Sequence, residues 1–192
     1  STAVYSAHFL MKLFRWAGLP DGVINRVTGS GAAIGNPVLG NRHLAGIHFT
    51  GSTRVFHQMW RTVGDNIDKY HGYPRLVGET GGKDFIVAHA SANPVALATA
   101  IVRGAFEYQG QKCSAASRVY VPKNLWPKIR DRLVAQVEGI RMGDVADFSN
   151  FMGAVIDAAS FGTQKAAIDE AKSAGDADIL VGGQYDDSEG WF

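Results

Sequence analysis

The chain has 192 residues, 46% hydrophobic and 19% charged, and its 19 basic and 18 acidic residues leave a formal net charge of +1. That composition is that of an ordinary globular protein with enough length to bury a core. No run of five or six like charges marks a nucleic-acid patch or acidic tail, and no apolar run approaches the ~20 residues of a bilayer-spanning helix.

Residues 1–17 carry Val4, Phe9, Leu10, Leu13, Phe14 and Ala17 near helical spacing, and Gly18 with Pro20 stops the pattern. His8, Lys12 and Arg15 interrupt it, so it does not read as a secretory signal. Residues 23–28 form a short β-rich run before the glycine cluster Gly29, Gly31 and Gly35. Residues 46–50 read as a strand, and Gly51-Ser52-Thr53 opens a helix reaching roughly Tyr70. Residues 75–78 and 84–88 are strand candidates on either side of Gly81-Gly82. Helical pattern follows over 94–108, with Pro94 suited to a first turn. Residues 119–121 read as a strand, 124–140 as an amphipathic helix, 157–174 as a helix capped by Gly175, and 179–181 as a last strand. Strands alternating with helices predict an α/β architecture with mostly parallel sheets. The pattern opens inside a helix without a cap and stops at Gly190-Trp191-Phe192 as an apolar run begins, so an internal piece of a longer polypeptide is expected.

Three segments carry chemistry. In Phe49-Thr50-Gly51-Ser52-Thr53 a strand runs into a helix start, where free N–H groups and the helix dipole favour phosphate; taken alone, the segment reads first as an ordinary hydroxyl N-cap. In Glu79-Thr80-Gly81-Gly82-Lys83 a carboxylate ends an apolar strand and two glycines leave room for a ligand. A buried carboxylate there suits a general base, and the plainer reading pairs it with Lys83. In Gly110-Gln111-Lys112-Cys113-Ser114 the only cysteine lies in a polar loop between a helix and a strand. One cysteine excludes an internal disulfide framework and fits a reducing compartment. A lone cysteine is usually a small buried hydrophobe, but this loop is the wrong place for one, and Lys112 and Arg118 would favour the thiolate if they point toward it.

Together these segments resemble the aldehyde dehydrogenase superfamily. The glutamate-x-Gly-Gly-Lys motif, the cysteine motif 34 positions later, the upstream Phe-Thr-Gly-Ser-Thr and Gly18-Leu19-Pro20-Asp21-Gly22 occur in the family's order. Tyr73-Pro74-Arg75-Leu76, the residues around Cys113 and Gly153-Ala154-Val155-Ile156-Asp157 look like the branch that oxidises L-glutamate γ-semialdehyde, the open form of 1-pyrroline-5-carboxylate, in proline degradation. Two positions depart from the common pattern: Phe56 stands where many members close the Gly-x-Thr-x-x-Gly turn with glycine, and Thr80 where many have leucine.

The resemblance implies part of a Rossmann-like NAD-binding domain over residues 1–78 and part of an α/β catalytic domain over 79–192. It implies Cys113 as nucleophile, Glu79 as base, Ser114 beside the substrate carboxylate, and Gly51, Ser52, Thr53, Arg54 and Val55 around NAD. The thiolate attacks the aldehyde, the thiohemiacetal loses hydride to leave a thioester, and Glu79 activates the water that releases glutamate. It also implies groups outside these residues, among them an asparagine as second oxyanion donor, so the isolated piece is expected to be inactive. A homo-oligomeric parent, in the cytoplasm or in the mitochondrial matrix of a eukaryote, with a small-molecule substrate and neither nucleic acid nor membrane as partner, completes the expectation. The acylating relatives generally lack the glutamate, which argues for hydrolysis over transfer to coenzyme A. A non-catalytic nucleotide-binding or redox-sensing fragment is the remaining alternative. The cluster Gly29, Gly31, Gly35 lacks dinucleotide-fingerprint spacing and reads as a turn, and the six histidines form no ligand pattern, so no metal is expected. Trp60, Phe106, Tyr108 and Trp126 read as core or interface packing.

Overall fold

The computed structural model describes residues 3–192. The chain divides into two compact units that meet between Thr80 and Gly81. The expected boundary fell two residues earlier; Glu79 stays with the first unit because it is the last rung of a strand ladder there.

In the first unit α1 (Val4–Trp16) and α2 (Gly31–Leu39) precede β1 (Gly46–Thr50), α3 (Thr53–Asp65) and β2 (Arg75–Glu79). The two strands pair in parallel from Gly46 opposite Arg75 to Thr50 opposite Glu79, with α3 as the crossover that parallel pairing requires. Ile47 and Leu76, on one face of the pair, pack with Leu44 and Met59 against a core of Leu39, Val63 and Tyr70. The Tyr70 hydroxyl donates to the Leu39 carbonyl at 2.6 Å, so the ring is buried without an unsatisfied hydroxyl. Asn66 ends α3 by donating from its side chain to Thr62 O, and a 3₁₀ turn (Ile67–Lys69) finishes the segment expected to be helical as far as Tyr70.

The second unit runs β3 (Asp84–Val87), α4 (Pro94–Phe106), β4 (Ala116–Tyr120), α5 (Trp126–Glu138) and α6 (Ala158–Ser173). Strands β3 and β4 are again parallel, with α4 between them in sequence. The Asn93 side chain accepts from Val95 N and Ala96 N, and Pro94 occupies the first turn, where its missing N–H costs nothing. Ala88, Leu97, Ile101, Leu125 and Ile129 form the core, flanked by Ile86, Val119 and Leu133. The alternation of strands and helices with parallel pairing matches the sequence reading.

Several expectations fail locally. Residues 23–28 and 179–181 are not strands. Val23, Ile24, Val27, Ile179 and Leu180 are exposed, and a β-rich run without a ladder partner among the described residues remains coil. Gly29 does turn the chain, at φ +157°, but Ser30 then caps α2 by accepting from Ala33 N, so Gly31 and Gly35 are helical. Gly175 does not cap α6, which ends at Ala174 with extended backbone. Of the aromatics read as core or interface packing, Trp60, Tyr108 and Trp126 are exposed and Phe106 is half-buried, so the core half of that reading fails for the first three.

Candidate functional site

Each unit gathers its candidate residues at one end of its strand pair. In the first unit both parallel strands end together, and the Gly51 N–H donates to the Glu79 carbonyl at 3.1 Å. This bond sets the α3 start beside the Glu79 backbone at the carboxyl end of the strands, where open α/β sheets bind ligands. Ser52 is the N-cap: its Oγ accepts from Val55 N at 3.3 Å, and its carbonyl accepts from Phe56 N. The N–H groups of Thr53 and Arg54 lie in the first turn, where no intrahelical acceptor exists, and Arg54 is exposed beside them. Two first-turn donors, a guanidinium and the positive end of a 13-residue helix suit a phosphate. The hydroxyl cap and the anion site are therefore not exclusive readings.

Phe56 is accommodated by a neighbour that the sequence does not advertise. A Cβ on Gly78 would lie 2.3 Å from the Phe56 ring, so the ring rests directly on the Gly78 backbone. The ring also stacks on Phe49 at 5.9 Å between centroids, 3° from parallel, and meets Trp60 edge-on. Phe49 in turn lies over Gly51, where a Cβ would come within 2.5 Å of it. The glycines at 51 and 78 thus admit an aromatic stack that braces the helix start. Glu79 itself is exposed, so the buried setting expected for it is absent in this chain.

In the second unit the cysteine occupies a four-residue turn closed by Ala115 N donating to Lys112 O at 3.1 Å. Cys113 and Ser114 are its two central residues, both exposed, while Ala115 is buried and anchors the turn. The Cys113 N–H has no acceptor among the described residues, which leaves it available to an oxyanion. Strand β4 begins at Ala116, opposite Asp84, and the register slips at the next rung, where Phe85 faces Arg118. Ser117 is the residue skipped, a bulge directly after the cysteine turn. From the β3 side, a Cβ on Gly82 would stand 2.4 Å from the Cys113 carbonyl oxygen. The Glu-x-Gly-Gly-Lys segment therefore supplies a glycine on which the Cys113 backbone rests.

Lys112 does not serve the thiol as expected. It and Arg103 both bind the Glu107 carboxylate. Glu107 is held below the usual carboxylate range, first by the hydrogen bond from Lys112, then by the charges of Lys112 and Arg103. The ion triad instead fixes the turn that precedes the cysteine. There Tyr108 and Gln109 take left-handed backbone at φ 55° and 57°, and Gly110 follows at 65°. Gln111, two residues before the cysteine, received no role from the sequence; its side chain accepts from the Ile156 N–H at 3.0 Å. No group of three or more His, Cys, Asp or Glu side chains converges among the described residues.

The first unit thus carries a capped helix start beside a strand-end glutamate, and the second an exposed thiol on a braced turn, each in an α/β unit with a parallel strand pair. The aldehyde dehydrogenase family model matches residues 1–192, and the chain belongs to that family. It is 50% identical to the mitochondrial delta-1-pyrroline-5-carboxylate dehydrogenase of Dictyostelium discoideum, over all of this chain and 35% of that protein. It is 45% identical to the human mitochondrial protein of the same name, over all of this chain and 34% of that one. Among solved structures it is similar to the Mycobacterium tuberculosis delta-pyrroline-5-carboxylate dehydrogenase bound with NAD, with a TM-score of 0.93 and 55% identity over 96% of this chain and 34% of that one. The chain spans about a third of the length of the curated relatives it matches.

Proposed function

We propose that this chain carries the thiol, the base and the phosphate-binding helix of an NAD-dependent dehydrogenase that converts L-glutamate γ-semialdehyde to L-glutamate. The observation that carries the reading is Cys113 at the exposed apex of a braced turn with its own N–H unpaired. The similarity of the whole chain to proteins named for 1-pyrroline-5-carboxylate supports the substrate.

The Cys113 thiolate adds to the aldehyde carbon, and its backbone N–H donates to the oxyanion of the thiohemiacetal. NAD, when bound, supplies the hydride acceptor. Thr53 and Arg54 would hold its phosphates through their free first-turn N–H groups and the Arg54 charge, at a helix start shaped by Gly51, Ser52 and Val55. Loss of hydride leaves a thioester on Cys113. Glu79 takes a proton from water, the hydroxide adds to the thioester, and the thiolate departs with release of the acid. Ser114, next to the thiol in the same turn, donates to the substrate's α-carboxylate. The exposure of Glu79 and of the α1 apolar side chains fits a parent in which further chain or a second copy covers them. We assign that parent to the mitochondrial matrix in a eukaryote and to the cytoplasm otherwise.

The test uses the full-length polypeptide, the semialdehyde and NAD. Cys113→Ala is expected to lose NADH formation, while Glu79→Gln gives one burst of NADH and then stalls as a thioester detectable by mass spectrometry. Steady-state turnover of Glu79→Gln at the parent rate overturns the base assignment, and activity in Cys113→Ala overturns the nucleophile.

A further inference from the structure

The cysteine turn is tied to a segment far away in sequence by one side chain. Gln111 Oε1 accepts from the Ile156 N–H at 3.0 Å across 45 positions, and Gln111 N donates to the Tyr108 carbonyl at 3.1 Å. Gln109 reaches the same segment: a Cβ on Gly153 would lie 3.2 Å from its Nε2. The left-handed run Tyr108-Gln109-Gly110 thus brings alternate glutamines against residues 153–156. A left-handed conformation is unfavourable for a non-glycine residue and persists only where its surroundings fix it. Ile156 is itself held in place, because the next residue, Asp157, caps α6 by accepting from Ser160 N at 2.8 Å.

We propose that Gln111 is a positioning residue for Cys113: by accepting the Ile156 N–H it fixes the lead into the Lys112–Ala115 turn and so the aim of the thiol. The inference rests on the nucleophile reading of Cys113. The Gln111 amide touches neither thiol nor substrate; it acts through two backbone steps. Gly82 supports the turn from the β3 side and Gln111 from the α6 side, so the sulfur direction is set by two contacts from separate parts of the chain.

The variants are Gln111→Met, which keeps the length and loses the acceptor, and Gln111→Glu, which keeps it, both in the full-length polypeptide. Gln111→Met is expected to lower kcat about tenfold or more, since small misplacements of a reacting group carry large rate effects, while KM for NAD stays unchanged. Its Cys113 is expected to react more slowly with iodoacetamide, with an altered pH profile, and its Ile156 amide to exchange faster. Gln111→Glu is expected to restore the amide protection and most of the kcat. Parent kcat and parent alkylation in a folded Gln111→Met overturn the proposal, as does failure of Gln111→Glu to restore either. If Gln111→Met does not fold, Gln111→Glu decides through its amide protection and its kcat. Turnover surviving in Cys113→Ala sinks the underlying reading, whereas normal Gln111→Met beside an inactive Cys113→Ala sinks only the positioning role.

Discussion

Replacing Gly82 by alanine would set a methyl carbon 2.4 Å from the Cys113 carbonyl oxygen and 3.3 Å from Asp84 Oδ2. Ordinary carbon–oxygen contact begins near ~3.3 Å, so the carbonyl or the strand must yield by about 1 Å. Backbone takes up that displacement, because the Cys113 oxygen has no side-chain torsion to relieve it. Overpacking of this kind costs about 1–3 kcal/mol of stability. A nucleophile misplaced by about 1 Å loses on the order of 100-fold in rate, so the expected phenotype is catalytic before it is structural. The assay is the pre-steady-state NADH burst of full-length Gly82→Ala, compared with its thermal midpoint and the alkylation rate of Cys113. A stable Gly82→Ala with the parent burst rate would refute the claim that this close approach aims the thiol.

The stack at the α3 start predicts a coupled pair: Gly78→Ala, with its Cβ 2.3 Å from the Phe56 ring, should destabilise by about 1–3 kcal/mol, and Phe56→Ala in the same chain should recover part of that loss. Additive effects in urea denaturation would mean that the ring does not rest on Gly78. Ser52→Ala removes the acceptor of the Val55 N–H and is expected to lower stability by about 1 kcal/mol; an unchanged urea midpoint would show that Ser52 is no cap. The Lys112 and Arg103 contacts lower the titration of Glu107 from its ordinary value of 4.5. A depressed carboxylate stabilises fully above its unfolded value and loses that contribution as pH falls through the folded one, so the triad holds at neutral pH, weakens as pH drops below 4.5 and releases the cysteine turn in acid, at the lower folded value. Amide exchange across residues 107–112 should show this acid transition, and Glu107→Gln should be equally open at both pH values.

The parts of the fold legible in the sequence are those set by local chemistry. The starts of the helices at Thr53, Pro94 and Ala158 were readable because a hydroxyl, a proline or a carboxyl stands before each periodic run, and the structure caps them with Ser52, Asn93 and Asp157. Strands β1 and β2 were readable because each is a short run beside turn residues, and both alternate exposed and half-buried residues with α3 as their shared crossover. Residues 23–28 and 179–181 were misread for the complementary reason: strand character is completed by a neighbour, and no periodicity reports whether one is there. Gly175 misled because a glycine after a helix permits a left-handed cap without requiring one; Ala174 ends α6 in extended backbone instead.

At the candidate site the same distinction separates residue type from residue contact. The order of Glu79 and Cys113 in their motifs was visible, but what holds the cysteine was not. Gly82 reads as a flexible loop residue, whereas its measurable property is the absence of a Cβ against the Cys113 carbonyl. Lys112 reads as a cation beside a thiol, yet Glu107, five residues earlier, takes its charge. The glutamate lies one helical turn after Arg103 and just before a left-handed turn, and spacing alone cannot say which of two cation neighbours it recruits. Phe56 reads as a defect in a glycine-rich turn until Gly78, 22 positions later on a paired strand, is seen to make room for it. Candidate nucleophiles, bases and caps are picked out by the intrinsic chemistry of their side chains, which a sequence displays. Their aim is chosen by side chains that are absent, as at Gly82 and Gly78, or engaged elsewhere, as at Lys112, and only the packed chain reveals either.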